Sequence, residues 1–411
     1  MIHENTCPAF FLDATINSAG SYSPCTALGG GAFKFSSETF KTIWLSNEVE
    51  QARMKSAQGE KLSMCNRCWS EEQLGHTSER QYLKQDVLPN LDYTDPGYYR
   101  RGPRHLNIKV SNICNLRCRT CQSYDSYLYH IEGKYYEKKN NIKNTPYTAE
   151  MFKKHFTDEQ LDELYEFAGN LERIELYGGE PFLDDQVPKF LLRLVESGLS
   201  KNIDFSVSTN ATHELTDTWR TILTNFKNVI INVSIDGIGP KFTYMRHPGK
   251  WEDAEKNIKE FFNLEQIYEN INVIPVITVS ALNAYNVPDV FTYFSQYNVE
   301  PFIILVQWPH YYCVNVLPEK IKPLVAERLV DPKFNAVINL MNTTPVVHDW
   351  TRNLTPWEEF KFWTKEKDLY RKESFIKTFE DIGTLLLEHG EWDDSIKIYE
   401  CSRRDEGQAR T

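Results

Sequence analysis

Three cysteines lie close together on one short stretch of the chain, where they could bind a metal centre. Cys114, Cys118 and Cys121 are separated by three and then two residues, and they follow the β-like run Leu106–Val110. Three thiolates from one loop can ligate three irons of a cubane [4Fe–4S] cluster, which usually takes four. The fourth iron then keeps an open coordination position, as catalytic metal sites do and closed structural sites do not.

A second motif follows the next strand-like run, Arg173–Tyr177. It consists of Gly178, Gly179 and Glu180, followed by a proline. Paired glycines let a backbone come close to a ligand, and the Glu180 carboxylate can accept hydrogen bonds from a cationic amino group. A small molecule with an amine and a carboxylate could therefore chelate the open iron and be held by this turn.

A structural zinc site is the alternative interpretation of the cysteine triplet. Its fourth ligand would come from a distant residue such as His105. Because a Gly-Gly-Glu turn has no role in such a site, the two motifs together favour the iron–sulfur interpretation.

Cys114, Cys118, Cys121 and the Gly178-Gly179-Glu180 turn together resemble the signature of the radical SAM superfamily. The resemblance implies a [4Fe–4S] cluster that donates one electron to S-adenosylmethionine (SAM), whose C–S bond breaks to give methionine and a 5′-deoxyadenosyl radical. It also implies an enzyme that holds cosubstrate and substrate while this radical abstracts hydrogen. The chain departs from the family pattern at Thr120, where relatives usually have an aromatic residue.

Four more cysteines lie within residues 1–90 and form a second candidate metal site. Cys7 and Cys25 stand at the outer ends of a predicted hairpin that turns at Ser18–Gly20, and its antiparallel return can bring the two thiols together. The two-residue spacing of Cys65 and Cys68 lets both sulfurs reach one metal. Four cysteines would complete a closed site.

This N-terminal segment resembles part of the SPASM/twitch region of radical SAM proteins, which binds an auxiliary [4Fe–4S] cluster. Cys7, Gly20 and Cys25 match the first part of the family pattern, and Cys65 and Cys68 match the later pair. In most relatives this region follows the core, whereas here it precedes it. A zinc ribbon with four cysteine ligands is the alternative, and the spacings allow it equally well.

Composition and charge argue against several classes of protein. The 411 residues carry a net charge of −11, which argues against nucleic-acid binding as the main function. No run approaches the ~18 apolar residues of a membrane span, and the start of the chain lacks the pattern of a secretory signal. Nine cysteines are then typical of metal ligands in a reducing compartment, so we expect a cytoplasmic protein. Cys401 lies in a polar tail and is not expected to be a ligand.

Strand-like and helix-like runs alternate after a linker at residues 92–103, which indicates an α/β fold with a parallel sheet and right-handed crossovers. The predicted strands are Leu106–Val110, Arg173–Tyr177, Ile203–Ser208, Val229–Ile235, Ile271–Val279 and Pro301–Val306. The predicted helices are Ser46–Gln58, Asp158–Phe167, Gln186–Glu196, Asp217–Asn225, Trp251–Phe262 and Pro288–Gln296.

The resemblance implies that the alternating part is an open, partial (β/α)6 barrel. We therefore predict three domains: a twitch/SPASM-like auxiliary [4Fe–4S] domain at 1–90, a radical SAM core at 100–312 and a mainly helical extension at 313–411. The N-terminal domain is predicted to consist of a β-hairpin and a helix.

Polar residues at the carboxyl ends of the later strands are candidates for binding SAM, because sites in barrels form at these ends. Asn210 follows the third strand of the core, Ser234 and Asp236 end the fourth, and Arg246 comes soon after. By resemblance, Ser234 and Asp236 suit ribose hydroxyls and Arg246 suits the carboxylate. Turn capping by Asp236 and a surface position for Arg246 are the alternatives.

Two aromatic-rich loops, Tyr124–Tyr136 and Trp308–Cys313, could shape a substrate pocket. An aromatic core patch with a buried Cys313 is the favoured interpretation.

By resemblance, the expected reaction is the oxidative modification of a peptide or small-molecule substrate, with a flavodoxin or ferredoxin as electron donor. The alternative function is a non-catalytic iron–sulfur or zinc protein that binds a partner.

Overall fold

The computed structural model describes residues 2–28, 33–34, 39–73, 77–86, 92–140, 155–346 and 354–393. The strands in these ranges are β1 (Asp13–Asn17), β2 (Ser21–Ser23), β3 (Phe33–Lys34), β4 (His105–Lys109), β5 (Arg173–Tyr177), β6 (Asp204–Thr209), β7 (Asn228–Ser234), β8 (Ile271–Val279) and β9 (Phe302–Leu305). The six strands predicted for the core are all present, and their ends differ from the prediction by at most one residue.

Helices connect most of these strands. They are α1 (Ala9–Leu12), α2 (Phe40–Trp44), α3 (Asn47–Ala57), α4 (Asn66–Gln73), α5 (Glu79–Asp86), α6 (Pro96–Tyr99), α7 (Tyr127–Asn140), α8 (Asp158–Glu166), α9 (Val187–Glu196), α10 (Asp217–Asn225), α11 (Pro240–Met245), α12 (Trp251–Ile267), α13 (Val287–Phe294), α14 (Lys322–Arg328), α15 (Asn335–Met341), α16 (Pro356–Arg371), α17 (Phe375–Thr378) and α18 (Glu380–Glu388). None of the described helices combines the length and the apolar character needed to cross a membrane.

The strands form one sheet in the order β3-β2-β1-β4-β5-β6-β7-β8-β9. Neighbouring strands from β4 to β7 pair in parallel, as do β8 and β9, whereas the β1–β2 hairpin is antiparallel. Parallel neighbours need crossover connections, and α8, α9 and α10 lie in the connections between successive strands. The predicted α/β fold with a parallel sheet is therefore confirmed.

Contacts divide the chain into two units. The first comprises Met1–Cys114, Glu150–Val233 and Asn257–Val273, and the second comprises Asn115–Ala149, Ser234–Lys256 and Ile274–Thr411. In the first unit, β6 buries every second side chain, as a strand with one face in the core does. Helix α9 buries Phe190, Leu191 and Leu194, whose helical spacing places them on one face.

The N-terminal segment joins the same sheet, because β1 pairs in parallel with β4. The predicted hairpin is present as β1 and β2, but the apolar run before it forms the helical turn α1. Helix α3 begins after Ser46, whose side chain caps it, and Gly59 follows it with a φ of +81°. The domain ranges 1–90, 100–312 and 313–411 stay predictions.

The second unit contains the 16-residue helix α16. A capping box between Thr355 and Glu358 begins it, and its buried face includes Phe360, Trp363 and Lys367. Cys313 is buried, as an aromatic core patch requires. Cys401 lies outside the described residues.

Candidate metal and cofactor sites

The Gly178-Gly179 turn packs against the backbone that leads into Cys114. Both glycines have left-handed conformations, with φ of +80° and +61°. A Cβ atom on Gly179 would lie 2.5 Å from the carbonyl oxygen of Ile113, and the Glu180 N–H donates to that same oxygen at 2.9 Å. Position 179 therefore requires glycine, because any larger residue would collide with the backbone that leads into the cysteine loop. From the sequence, we expected the paired glycines to let the backbone approach a ligand, and nothing in the sequence indicated this contact with the cysteine loop.

Glu180 holds the end of β6 beside this turn. Its carboxylate is buried and accepts the Thr209 hydroxyl at 2.9 Å and the Phe182 N–H at 3.2 Å through one oxygen. The other oxygen accepts the Asn210 N–H at 2.7 Å. The predicted contact with the amino group of SAM stays a prediction.

Asn210 lies next to the first cysteine of the triplet. Its side-chain amide nitrogen is 3.7 Å from the Cys114 Sγ. Its side-chain oxygen accepts the Thr212 N–H at 2.9 Å, which fixes the direction of the amide. Hydrogen bonds to cysteine sulfurs are one means of tuning an iron–sulfur cluster, so the structure places Asn210 where it can influence Cys114.

In the second unit, the loop that carries Cys118 and Cys121 is held by the end of α11 and the residues that follow it. The Arg117 N–H donates to the His247 carbonyl at 2.7 Å, and the Arg119 N–H donates to the Met245 carbonyl at 2.8 Å. The Cys121 N–H donates to the Cys118 carbonyl at 3.1 Å, which closes the turn between the two cysteines. Both cysteine residues are partly buried.

Asp236 and Arg246 form a buried ion pair near Cys118. The Asp236 Oδ2 and the Arg246 guanidinium are 2.9 Å apart, and Asp236 also accepts the Thr278 N–H at 2.9 Å. The guanidinium is 3.9 Å from the Cys118 Sγ. Burial raises the pKa of Cys118, and Arg246 opposes this rise. Arg246 is only 8% exposed, so the surface alternative is wrong, and Ser234 ends β7 in a half-buried position.

Apart from Arg246, the basic side chains around this loop were not identified from the sequence. Arg119 is fully buried, with its guanidinium 2.5 Å from Asp368 and 2.6 Å from Glu373. The guanidinium also lies 3.6 Å from the centre of the Tyr244 ring. Its carboxylate partners are about 250 residues away along the chain, and therefore no local motif could have indicated these pairs.

The four N-terminal cysteines line one cavity in the first unit. Cys7, Cys25 and Cys68 are buried, and Cys65 is partly exposed. Burial, and then the nearby Cys25, raise the pKa of Cys7, to which Cys65 also contributes. Burial, and then Cys68, raise the pKa of Cys65 to about 11. The hairpin and the later cysteine pair thus bring all four cysteines to the wall of one cavity.

Arg80 forms part of the wall of this cavity. Both oxygens of Glu72 accept from its guanidinium, at 2.9 and 2.6 Å, and the Glu4 carbonyl accepts a third bond at 2.8 Å. The guanidinium lies 4.6 Å from the centre of the Trp69 ring. This fixed positive charge lowers the pKa of Cys65 against the effect of burial.

His105 was the alternative fourth ligand for a zinc site at the cysteine triplet. Its Nδ1 is 2.7 Å from the Asp13 carboxylate. Only the other ring nitrogen could therefore bind a metal without breaking this contact.

Comparison with known protein families agrees with the cysteine motif. Residues 108–283 match the family model described as the Radical SAM superfamily. This segment is a radical SAM domain. It contains Cys114, Cys118 and Cys121 together with the Gly178-Gly179-Glu180 turn. No curated protein matches the sequence of the chain.

Several solved structures are similar to parts of the chain. One is described as native anSMEcpe with bound AdoMet, with 19% identity and a TM-score of 0.41 over 57% of this chain and 62% of that one. Another is SuiB of Streptococcus suis bound to S-adenosylmethionine, with 14% identity and a TM-score of 0.37 over 72% of this chain and 59% of that one. SuiB bound to its precursor peptide SuiA has 12% identity and a TM-score of 0.35 over 66% and 60% of the two chains. The chain therefore spans less than two thirds of the length of each of these three structures.

Proposed function

We propose that this protein is a radical SAM enzyme in which Cys114, Cys118 and Cys121 hold a [4Fe–4S] cluster with one iron open to SAM. The observation that carries the proposal is the position of this triplet, immediately after β4 and inside the radical SAM domain. When bound, the cluster supplies the electron that splits SAM into methionine and a 5′-deoxyadenosyl radical.

The residues around the cysteine triplet suit two tasks, the binding of SAM and the support of the loop that carries the cysteine ligands. In this proposal Gly178, Gly179 and Glu180 bind the amino-acid end of SAM. Asn210 directs its amide at the Cys114 sulfur, which supports a role at the cluster.

Residues of the second unit take the other contacts in the proposal. Ser234 and Asp236 hold the ribose hydroxyls, and Arg246 binds the carboxylate of SAM. The pairing of Arg246 with Asp236 supports this assignment, because it fixes the guanidinium in a buried position beside Cys118.

We also propose that Cys7, Cys25, Cys65 and Cys68 hold an auxiliary [4Fe–4S] cluster in a twitch/SPASM-like domain. Their convergence on one cavity supports a single shared metal centre. Four protein ligands leave no open iron, so this cluster would accept the electron that remains after hydrogen abstraction, and it would not bind substrate. The net reaction would then be an oxidation.

The substrate in this proposal is a peptide or a small molecule, and the enzyme acts as an oxidoreductase or a peptide maturase. A flavodoxin or ferredoxin supplies the electron, and the cytoplasm is the compartment that suits oxygen-sensitive clusters and free thiols.

Anaerobic reconstitution of the full chain tests the proposal. We expect about 8 Fe per chain from two cubanes and release of 5′-deoxyadenosine when SAM and a strong reductant are added. Zinc at the four-cysteine site, with no deoxyadenosine, would instead support the alternative of a non-catalytic partner-binding protein. The observation that favours this alternative is the four-cysteine site itself, because four thiolates are also a common ligand set for structural zinc.

A further inference from the structure

Among the residues that the structure describes, the basic side chains around the loop of Cys118 and Cys121 have carboxylate partners, with one exception. Each of the four arginines nearest this loop forms an ion pair within the second unit. The pairs are Arg117–Glu132, Arg119–Asp368, Arg246–Asp236 and Arg371–Glu132. The exception is Lys367.

Lys367 is 2% exposed and points at the cysteine loop. Its Nζ donates to the Arg119 carbonyl at 3.0 Å and to the Tyr129 hydroxyl at 3.0 Å. It also lies 4.9 Å and 4.8 Å from the centres of the Tyr129 and Tyr312 rings. Across the described residues, no carboxylate forms an ion pair with it.

A buried ammonium without a counter-charge is unstable. Moving such an ion out of water is costly, and hydrogen bonds and a nearby opposite charge are what offset this cost. In the metal-free chain, burial and then the neighbouring Arg371 hold the pKa of Lys367 well below its usual range. Glu132 and then Cys121 act in the opposite direction, because a carboxylate and a thiolate are negative charges near the ammonium. Glu132 already forms ion pairs with both Arg117 and Arg371 and none with Lys367.

Helix α16 aims several groups at the same loop. Arg371, one turn after Lys367, donates to the Arg117 carbonyl at 2.8 Å. Asp368 accepts the Arg119 guanidinium and also the Tyr244 hydroxyl at 2.8 Å. Arg371 is four residues after Lys367 and three after Asp368, so all three side chains lie on the same side of the helix. The helix therefore fixes Lys367 relative to the residues between the two cysteines.

We propose that Lys367 is a positioning residue whose counter-charge is the anionic iron–sulfur cluster at Cys118 and Cys121, and that its ammonium makes this cluster easier to reduce. The inference rests on the proposed function. A cubane with three thiolate ligands is negatively charged and becomes more negative on reduction, so a fixed nearby cation stabilises the reduced form more than the oxidised form. Hydrogen bonding to the Arg119 carbonyl orients the loop at the same time.

The substitution K367Q separates these two effects, because glutamine can still donate to the Arg119 carbonyl but carries no charge. The readout is an EPR-monitored redox titration of the full, reconstituted chain, using the signal that changes when SAM is added. We expect a more negative midpoint potential in K367Q, on the order of a tenfold loss in the reduction equilibrium, which is 59 mV for one electron. K367R should restore the wild-type value, and K361M, on the same helix, should not change it.

An unchanged midpoint in K367Q with the cluster bound would overturn the inference and leave the proposed function intact. A wild-type chain that binds no SAM-responsive cluster would contradict both. Should K367Q bind no cluster, thermal unfolding of the metal-free protein decides. A melting temperature like that of the wild type supports the inference, because only the loaded state needs the charge, and a large loss contradicts it.

Discussion

The buried Glu180 carboxylate accepts the backbone N–H of Asn210 at 2.7 Å, and in this way it ties the Gly-Gly-Glu turn to the end of β6. The same carboxylate accepts the Thr209 hydroxyl and the Phe182 N–H. Every one of these partners is a donor. Residue 180 must therefore be a side chain that only accepts hydrogen bonds. This requirement holds whether or not the side chain also contacts SAM.

Substitution of Glu180 with glutamine should destabilise the protein although the two side chains have the same shape. The amide NH₂ would face at least one of these donors, and a buried, unsatisfied donor costs about 1–3 kcal/mol. Urea denaturation of the metal-free chain measures the loss. The matched control is D185N, since Asp185 is exposed. Equal stability of E180Q and the wild type would show that these hydrogen bonds contribute little.

Substitution of Gly179 with alanine should disturb the cysteine loop. The added Cβ would meet the Ile113 carbonyl oxygen at 2.5 Å, in addition to the cost of a left-handed alanine. We expect a loss of at least ~2 kcal/mol in unfolding free energy, together with a lower iron content after reconstitution.

Gly198 supplies the control for this prediction. It also has a left-handed conformation, with a φ of +77°, but a Cβ added there would meet no atom of the described residues within 4 Å, its chain neighbours aside. G198A should therefore show only the conformational cost of about 1 kcal/mol and normal iron content. Similar losses of iron in both variants would argue against a specific contact between Gly179 and the loop.

The double substitution C65A/C68A should remove the auxiliary site and leave the radical SAM site. We expect iron to fall from about 8 to about 4 per chain, while reductive release of 5′-deoxyadenosine continues. C118A should abolish that release. Loss of deoxyadenosine in C65A/C68A, in a protein that still folds and holds about 4 Fe, would contradict the division into two independent centres.

The sequence predicted the strands because their β-branched, apolar runs and the helix caps between them are local signals. A hairpin and a two-residue spacing are also local signals, and they indicate that Cys7 lies near Cys25 and that Cys65 lies near Cys68. The approach of these two pairs to one cavity is a long-range contact. The partners of Lys367 and Gly179 could not be predicted in this way. The Arg119 carbonyl is 248 residues from Lys367, and the need for glycine at 179 comes from the backbone of a different strand's loop.

Glu359 should make stability depend on pH. Its side chain is 6% exposed, and burial raises its pKa from the usual 4.5 to about 7. Because the folded pKa is higher than the unfolded pKa, the protonated form favours folding. This stability is fully present below about pH 4.3 and is lost as the pH rises through about 7.

The substitution E359Q should consequently stabilise the protein at pH 8 by about 2 kcal/mol. Near pH 4 it should have little effect, since Glu359 is then protonated in both states. Thermal or urea unfolding at the two pH values provides the comparison. A gain of the same size at both would show that the charge of Glu359 is not the cause.

The most direct test of the whole proposal is EPR of the anaerobically reduced, reconstituted chain with and without SAM, combined with assay of 5′-deoxyadenosine. We predict that SAM changes the spectrum of the reduced cluster and that deoxyadenosine and methionine are released in equal amounts. A spectrum that SAM leaves unchanged, with no deoxyadenosine even under a strong reductant, would contradict an open iron at Cys114, Cys118 and Cys121.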